Sequence, residues 1–186
     1  MPDRPEPARL PSIGTLDRLP AAALSAALGP LFESAPRFLE RLAAARPFGS
    51  WDALYAAAEA IALAMPDPYQ RELLDAHPRI GADPSSVSAL SFREQGYDRE
   101  AADRAAEQAA AELARELARL NDAYEARFGF RYVIFVAGRP RAAIVPLLTA
   151  AIDGDPLAER ERGLRDVVHI GRARAARIGY EQEGVG

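Results

Sequence analysis

Apolar residues recur three and four positions apart along most of the chain, which is the spacing of one face of an α-helix. The stretches "AAALSAALG", "LFESAPRFLERLAAAR" and "SWDALYAAAEAIALAM" follow this spacing, and so does a longer predicted helix over about residues 99–127. Only "FGFRYVIFVAG" resembles a strand, and the chain offers no second convincing strand to pair with it. The pattern therefore predicts an all-α fold, a single-domain multi-helix bundle with one buried extended connector at about residues 129–137.

Capping residues and prolines mark where several of these helices begin. Three residues are predicted N-caps: Ser50, Asp67 and Asp155, the last of them before a helix that runs to about residue 177. Pro36 is expected either to start a helix or to kink one, and Pro146 to bend one. These positions divide the apolar pattern into separate helices joined by short loops.

The length and composition narrow the class of protein. At 186 residues the chain is most simply one domain, which we place at residues 13–180 between a disordered proline-rich tail (1–12) and a short C-terminal tail (181–186). Cysteine is absent and the two histidines lie far apart, so we expect neither disulfides nor a metal site. A net charge of -4 and a pI near 5.3 speak against a nucleic-acid partner. The most apolar run is too short to span a bilayer, which favours a cytoplasmic protein with no membrane partner.

His77 is the first candidate for chemistry. It stands in "LLDAHPRIG", directly before Pro78, which should end the preceding helix at this histidine. Imidazole titrates near neutral pH and can move protons, and a position at a helix C-terminus should favour its protonated form. The alternative is that His77 only caps the last carbonyl groups of the helix. The local sequence leaves both interpretations open.

The segment "SFREQ" is the second candidate. Glu94 and Gln95 follow His77 across a loop that could fold both of them back towards the imidazole. A carboxylate beside an amide suits a ligand rich in N–H and C=O groups. Ser91 and Glu94 also have the spacing of a capping box, which would explain both residues by helix initiation alone.

The connector and the last helix supply the remaining candidates. An apolar segment outside helices and sheets has backbone N–H and C=O groups that need partners, and a polar ligand could supply them. Arg174 is one of several arginines in the last helix and could equally be a solvated surface charge. The chain has no glycine-rich phosphate-binding motif and no serine-hydrolase motif, so nucleotide cofactors and serine-hydrolase chemistry lack support.

Five segments, in this order, resemble the family of 2-oxo-4-hydroxy-4-carboxy-5-ureidoimidazoline (OHCU) decarboxylases, which act in urate degradation. "LFESAPRFLERLAAARPF" is similar to the family's early F-E-x-S-P segment, and "QRELLDAHPRIG" to its helix that ends in A-H-P. "SFREQ" is similar to S-x-x-E-Q, and "LNDAYEARFGFRYVIFVAGRP" to its N-x-x-Y block. "GLRDVVHIGRARAARI" fits the closing helix. The resemblance runs from about residue 13 to residue 177.

The resemblance implies an all-α, homodimeric enzyme without a cofactor that decarboxylates OHCU to (S)-allantoin. It implies catalytic roles for His77, Glu94 and Arg174. It implies that the substrate is bound by Pro78, Ser91, Phe92, Arg93, Gln95, Tyr132, Val133, Ile134, Phe135 and Val136. From the residue types we expect Arg174 to bind oxygens of the substrate in a fork, Glu94 and Gln95 to hold its N–H groups, and His77 to move the proton.

Three departures from the family pattern leave the identity of the substrate undecided. The positions are Ala151, Gly154 and His169, where the family usually has other residues. Two alternatives therefore remain beside OHCU decarboxylation. One is a sibling enzyme that acts on a related ureido or imidazoline acid, and the other is a non-catalytic helical binding module on the same scaffold.

Overall fold

A computed structural model describes residues 9–82, 85, 87–95 and 104–180. The helices within these residues are α1 (Ile13–Arg18), α2 (Ala21–Leu28), α3 (Pro36–Ala44), α4 (Trp51–Ala64), α5 (Asp67–Asp75), α6 (Ala89–Glu94), α7 (Arg104–Phe128), α8 (Ile144–Ile152) and α9 (Pro156–Ile178). Short 3-10 turns at Gly29–Leu31 and Arg141–Ala143 precede α3 and α8. A single parallel bridge joins Leu10 to Tyr180. The predicted all-α class is confirmed for the described residues.

Two of the three predicted N-caps, Ser50 and Asp155, are confirmed. The Ser50 hydroxyl accepts from the Ala53 N–H, and Asp155 accepts from two N–H groups of the first turn of α9. The N-cap predicted at Asp67 is wrong by one residue, because Pro66 precedes the helix and Asp67 is its first residue. Proline supplies the extended backbone that an N-cap needs, although it has no side-chain acceptor.

Both prolines singled out in the sequence lie at helix starts. Pro36 is the first residue of α3. Pro146 lies in the first turn of α8, where a backbone N–H has no acceptor within the helix, so the chain can accommodate it without a bend. The bend at Pro146 stays a prediction, and the structure adds that the α-helix begins just before this residue.

The last helix, α9, organises the packing. It lies against α4, α5 and the 3-10 turn at Gly29–Leu31, while α7 packs on α8. Gly171 permits the close approach of α9 to this turn, since a Cβ atom there would meet the Phe32 ring at 2.6 Å. Arg174 follows one turn later on α9. The close packing at Gly171 therefore also buries the Arg174 side chain.

The predicted connector is confirmed as a segment outside helices and strands that follows α7, and its residues 130–136 are buried or half-buried. Its first half is anchored by an aromatic cluster of Tyr124, Phe128, Phe130 and Tyr132, with ring centroids 4.5 to 5.9 Å apart. The Val133 carbonyl accepts from Arg162 Nη1 at 2.8 Å. The start predicted for α7 near residue 99 lies outside the described residues.

None of the helices described is long and apolar enough to cross a membrane.

Candidate active site

His77 lies just beyond the C-terminus of α5 and is 3% exposed. Its Nδ1 atom is 3.1 Å from the Leu73 carbonyl oxygen. Because a carbonyl oxygen only accepts, Nδ1 carries the hydrogen and Nε2 is left with a lone pair. Nε2 is buried and has no hydrogen-bond partner among the described residues. His77 thus presents a proton acceptor.

The helix end alone would favour a protonated His77, but burial makes the neutral ring the stable form. Burial lowers its pKa to about 4, and the nearby positive charge of Arg174 adds to this, so the ring is neutral at neutral pH. Desolvation outweighs the helix dipole because the side chain is buried. The Leu73 contact shows that His77 also caps a carbonyl group, but it does so with one nitrogen and leaves the other unpaired.

Arg131, at the start of the connector, fixes the chain around His77. Its Nη1 atom donates to the Asp75 carbonyl at 2.7 Å and to the His77 carbonyl at 2.9 Å. Its backbone N–H donates to the Asp75 carboxylate at 2.9 Å. The end of α5 and the connector are therefore held together as one unit.

One cavity brings most of the predicted site residues together. Its lining includes His77, Pro78, Ser91, Glu94, Gln95, Tyr132, Val133, Ile134, Phe135, Val136 and Arg174. Phe92 and Arg93 do not line it, because they lie on other faces of α6, and Arg93 is exposed. The lining also includes three residues of α9 that sequence reasoning did not select: Ile170, Ala173 and Arg177.

Arg174 is 1% exposed, and its N–H groups all donate to acceptors within the protein. Nε and Nη2 donate to the two oxygens of Glu94 at 2.9 and 3.0 Å. Nη2 also donates to Glu33 at 2.8 Å and to Ser91 at 3.0 Å, and Nη1 donates to backbone carbonyls of the 3-10 turn. The expected fork from Arg174 to substrate oxygens is not available in this arrangement, since all five N–H groups have acceptors in the protein.

Glu33 is a carboxylate that the sequence analysis did not select and that contacts two lining residues, Arg174 and Ser91, without lining the cavity itself. One of its oxygens, Oε1, accepts from Arg174 at 2.8 Å, from the Ser91 hydroxyl at 2.8 Å and from the Ser88 hydroxyl at 3.2 Å. The signal in the sequence is its position, because Glu33 stands in "LFESAPRF", the segment similar to the family's F-E-x-S-P motif.

The start of α6 differs from the capping box predicted at Ser91 and Glu94. Ser88 is the N-cap and accepts from the Ser91 N–H, which leaves the Ser91 hydroxyl free to face Glu33 and Arg174. Glu94 pairs with Arg174 and does not reach back to the N-terminus of its helix. The capping-box interpretation is therefore wrong.

Gln95 supports the cavity wall through the loop after Pro78. Its amide oxygen accepts from the Gly81 N–H at 2.9 Å, and its amide nitrogen donates to the Arg79 carbonyl at 3.3 Å. These bonds tie the end of α6 to the chain that follows His77.

None of the three departures from the family pattern, Ala151, Gly154 and His169, lines the cavity. His169 is exposed, and its Nδ1 atom lies 3.4 Å from Oδ1 of Asp166. Its ring centroid is 6.1 Å from that of Phe135. Ala151 is buried in α8, and the Gly154 carbonyl accepts from Arg127. Within the described ranges no three acidic or histidine side chains come together in a way that could hold a metal ion.

Comparison with known proteins places this arrangement in context. A family model described as OHCU decarboxylase matches residues 17–176. The "Uric acid degradation bifunctional protein PucL" of Bacillus subtilis is 32% identical over 88% of this chain, and the chain spans about a third (32%) of that protein's length. The "2-oxo-4-hydroxy-4-carboxy-5-ureidoimidazoline decarboxylase" of Haloferax volcanii is 27% identical over 81% of this chain and 85% of its own.

Solved structures support the fold. A crystal structure of OHCU decarboxylase in the presence of (S)-allantoin superposes with a TM-score of 0.61 at 20% identity, over 81% of this chain and 94% of that chain. A crystal structure of (S)-allantoin synthase gives the same TM-score and identity over 90% of this chain and 54% of that chain. With a family match that covers most of its length, the chain belongs to the OHCU decarboxylase family.

Proposed function

We propose that this protein catalyses the decarboxylation of OHCU to (S)-allantoin, without a cofactor. Family membership supports the reaction class. The observation that carries the proposal is the unpaired, buried Nε2 atom of His77, which belongs to a residue in the wall of a cavity that Glu94 and the connector also line. An unsatisfied buried nitrogen costs free energy, and a ligand group that donates to it would recover that cost.

The substrate can accept its own electrons. In OHCU one ring carbon bears both the carboxylate and the hydroxyl group, and the adjacent carbon bears the ureido group and the ring C=N bond. When CO2 leaves, the C–C electron pair forms a C=C bond, and the C=N pair moves to nitrogen, which takes up a proton. The hydroxyl group then loses its proton as a C=O bond forms, and the ureido-bearing carbon gains one. The net reaction consumes one proton.

His77 is the residue that moves a proton in this scheme. As a neutral ring with its lone pair at Nε2, it can accept the hydroxyl proton and return a proton to carbon. A histidine fixed on one wall of the cavity delivers that proton to one face only, and this would set the (S) configuration. A base with a low pKa also gives the proton up readily.

The connector and Arg177 are the groups we assign to the substrate's carboxylate and carbonyl oxygens. The backbone N–H groups of Ile134, Phe135 and Val136 donate no hydrogen bond to any other described group. The side chain of Arg177 lines the cavity, is exposed, and forms no ion pair within the described part of the chain. Glu94, whose oxygens each keep a second lone pair, would accept from ureido or ring N–H groups.

Two further properties belong to the same proposal. We expect a homodimer, as the family resemblance implies, and a site of action in the cytoplasm. Light scattering coupled to gel filtration, at concentrations around the assay concentration, tests the oligomeric state.

The test generates OHCU with the upstream enzymes and follows (S)-allantoin by circular dichroism after this protein is added. The proposal predicts faster formation of one enantiomer than the spontaneous, racemic decay gives. A trace that matches the spontaneous decay would contradict it. Related ureido and imidazoline acids in the same assay would reveal a sibling specificity, and binding without turnover would indicate a binding module.

A further inference from the structure

Glu33 occupies an unusual stretch of backbone. It lies between the 3-10 turn at Gly29–Leu31 and α3, and both Glu33 and Ser34 have positive φ angles, of 49° and 57°. Residues with a Cβ atom rarely adopt this conformation, and two in succession are kept only where the surroundings favour them. The turn directs the Glu33 side chain inward, where it is 14% exposed.

The contacts of Glu33 reach two elements of the cavity wall. Its Oε1 atom accepts from Arg174 on α9 and from Ser91 on α6, both at 2.8 Å. Arg174 in turn donates to both oxygens of Glu94. A single carboxylate thus links the cation that orients Glu94 with a hydroxyl group that lines the cavity.

The charges of this group do not cancel. Glu33 and Glu94 share one guanidinium, which leaves an excess negative charge while His77 is neutral. Burial alone would raise the pKa of the Glu33 carboxyl, but the positive charge of Arg174 and the hydrogen bonds from Ser91 and Arg174 outweigh it and lower the pKa below its ordinary value. Glu33 is therefore ionised at neutral pH.

Three charged groups act on His77. Arg174 on α9 and Arg131 on the connector both oppose its protonation, while Glu33 favours it. Glu94 on α6 pairs with Arg174 through both carboxylate oxygens and neutralises part of the Arg174 charge. Glu33 therefore offsets the two arginines when the imidazole takes up a proton.

We propose that Glu33 is a positioning residue for the reaction: it holds Ser91 and Arg174 in the cavity wall and supplies negative charge that supports proton uptake by His77. The inference rests on the proposed decarboxylase function. Glu33 acts through these residues and has no assigned contact with the substrate.

The test substitutes Glu33→Gln, which keeps an acceptor of the same shape and removes the charge. We expect kcat to fall about tenfold, as part of the contribution of a general base, with a smaller change in KM. Glu33→Asp, which keeps the charge but shortens the reach, should lose alignment and retain the pH profile. The control is Glu40→Gln, an exposed carboxylate on α3 that should leave both constants unchanged.

A second readout does not depend on turnover. The protein has two histidines, so NMR titration of the imidazoles, with a His169→Gln variant for assignment, follows His77 directly. Loss of the Glu33 charge should lower the pKa of His77 in Glu33→Gln but not in Glu40→Gln. An unchanged His77 titration together with wild-type kcat in Glu33→Gln would overturn the inference. If the wild-type protein fails to act on OHCU, the proposed function fails, while the titration still decides whether Glu33 acts on His77.

Discussion

At the scale of single residues, His77 and Arg174 differ in whether they have a hydrogen-bonding group that is free to contact a ligand. His77 uses one nitrogen to bind the Leu73 carbonyl and keeps the other unpaired in the cavity wall. Arg174 donates every N–H group to Glu94, Glu33, Ser91 and the backbone. Of the two, only the histidine keeps a nitrogen for a ligand, whereas the arginine is the centre of an ion-pair network with Glu33 and Glu94.

Because Arg174 has no free donor, we propose that Arg177 binds the substrate's carboxylate together with the connector N–H groups. Arg177→Gln should raise KM about fivefold with little change in kcat, since an exposed charge pair is worth up to about 1 kcal/mol. Steady-state kinetics on OHCU at low and high salt measure the effect, and the wild-type KM should rise with salt more than that of the variant.

The control for this prediction is Arg172→Gln. Arg172 is an exposed arginine of the same helix that pairs with Asp52 away from the cavity. Equal KM values for wild type and Arg177→Gln would show that the carboxylate is held elsewhere, for instance by the connector N–H groups alone.

The sequence allowed His77, Glu94 and the connector to be predicted as site residues, and the structure brings them to one cavity. It did not allow Glu33 to be predicted, because Glu33 meets Arg174 across 141 positions of sequence. No local pattern encodes such a contact. The helix end alone favours a protonated His77, and the sequence could not show the burial that lowers its pKa, because burial depends on elements far away in sequence.

At the scale of elements, the site depends on how closely α9 approaches the 3-10 turn before α3. Gly171→Ala should destabilise the protein by roughly 1–3 kcal/mol, the usual range for an overpacked core. The new Cβ atom would meet the Phe32 ring at 2.6 Å, and the gain in helix propensity, about 1 kcal/mol, does not offset this. Urea unfolding measures the change in the free energy of unfolding.

Gly163→Ala is the matched variant on the same helix. Its Cβ atom would meet only the tip of the Leu74 side chain, at 3.0 Å, so we expect a much smaller change. Because Arg174 lies one turn beyond Gly171, the Gly171 variant should also lose activity. Equal stability of the two variants would contradict the close packing described for α9.

The elements themselves were largely predictable, because helical periodicity and the N-caps at Ser50 and Asp155 act locally. The errors were of position. Pro66 in place of Asp67 starts α5, and Ser88 in place of Ser91 caps α6. Several residues near a helix start can serve as the cap, and tertiary contacts, such as those of Ser91 with Glu33, decide between them.

At the scale of the whole molecule, the buried histidine links folding to pH. The pKa of His77 is about 4 in the folded state and 6.5 in its ordinary range, so the unfolded chain takes up its proton first as the pH falls. The stabilisation is complete above pH 6.5 and is lost as the pH falls towards 4. The free energy of unfolding falls by about 3 kcal/mol in total as the pH falls through this range.

Urea unfolding between pH 7 and pH 4.5 measures this dependence. His77→Gln should remove most of it, and His169→Gln, a change at an exposed histidine, should not. The ionised Glu33 also stabilises the folded protein, but this stabilisation is lost only as the pH falls below its ordinary pKa of 4.5. The change in stability between pH 7 and pH 4.5 therefore reports mainly on His77. A wild-type stability that stays constant over this range would contradict a buried, neutral imidazole.

The central claim is that a neutral His77 moves the proton in a stereoselective decarboxylation. The most direct measurement compares wild type and His77→Asn in the circular dichroism assay with freshly generated OHCU. We expect the variant to stay folded, by its far-ultraviolet spectrum, and to form (S)-allantoin at least ~100-fold more slowly than wild type. A folded His77→Asn protein that forms (S)-allantoin at the wild-type rate would contradict the claim.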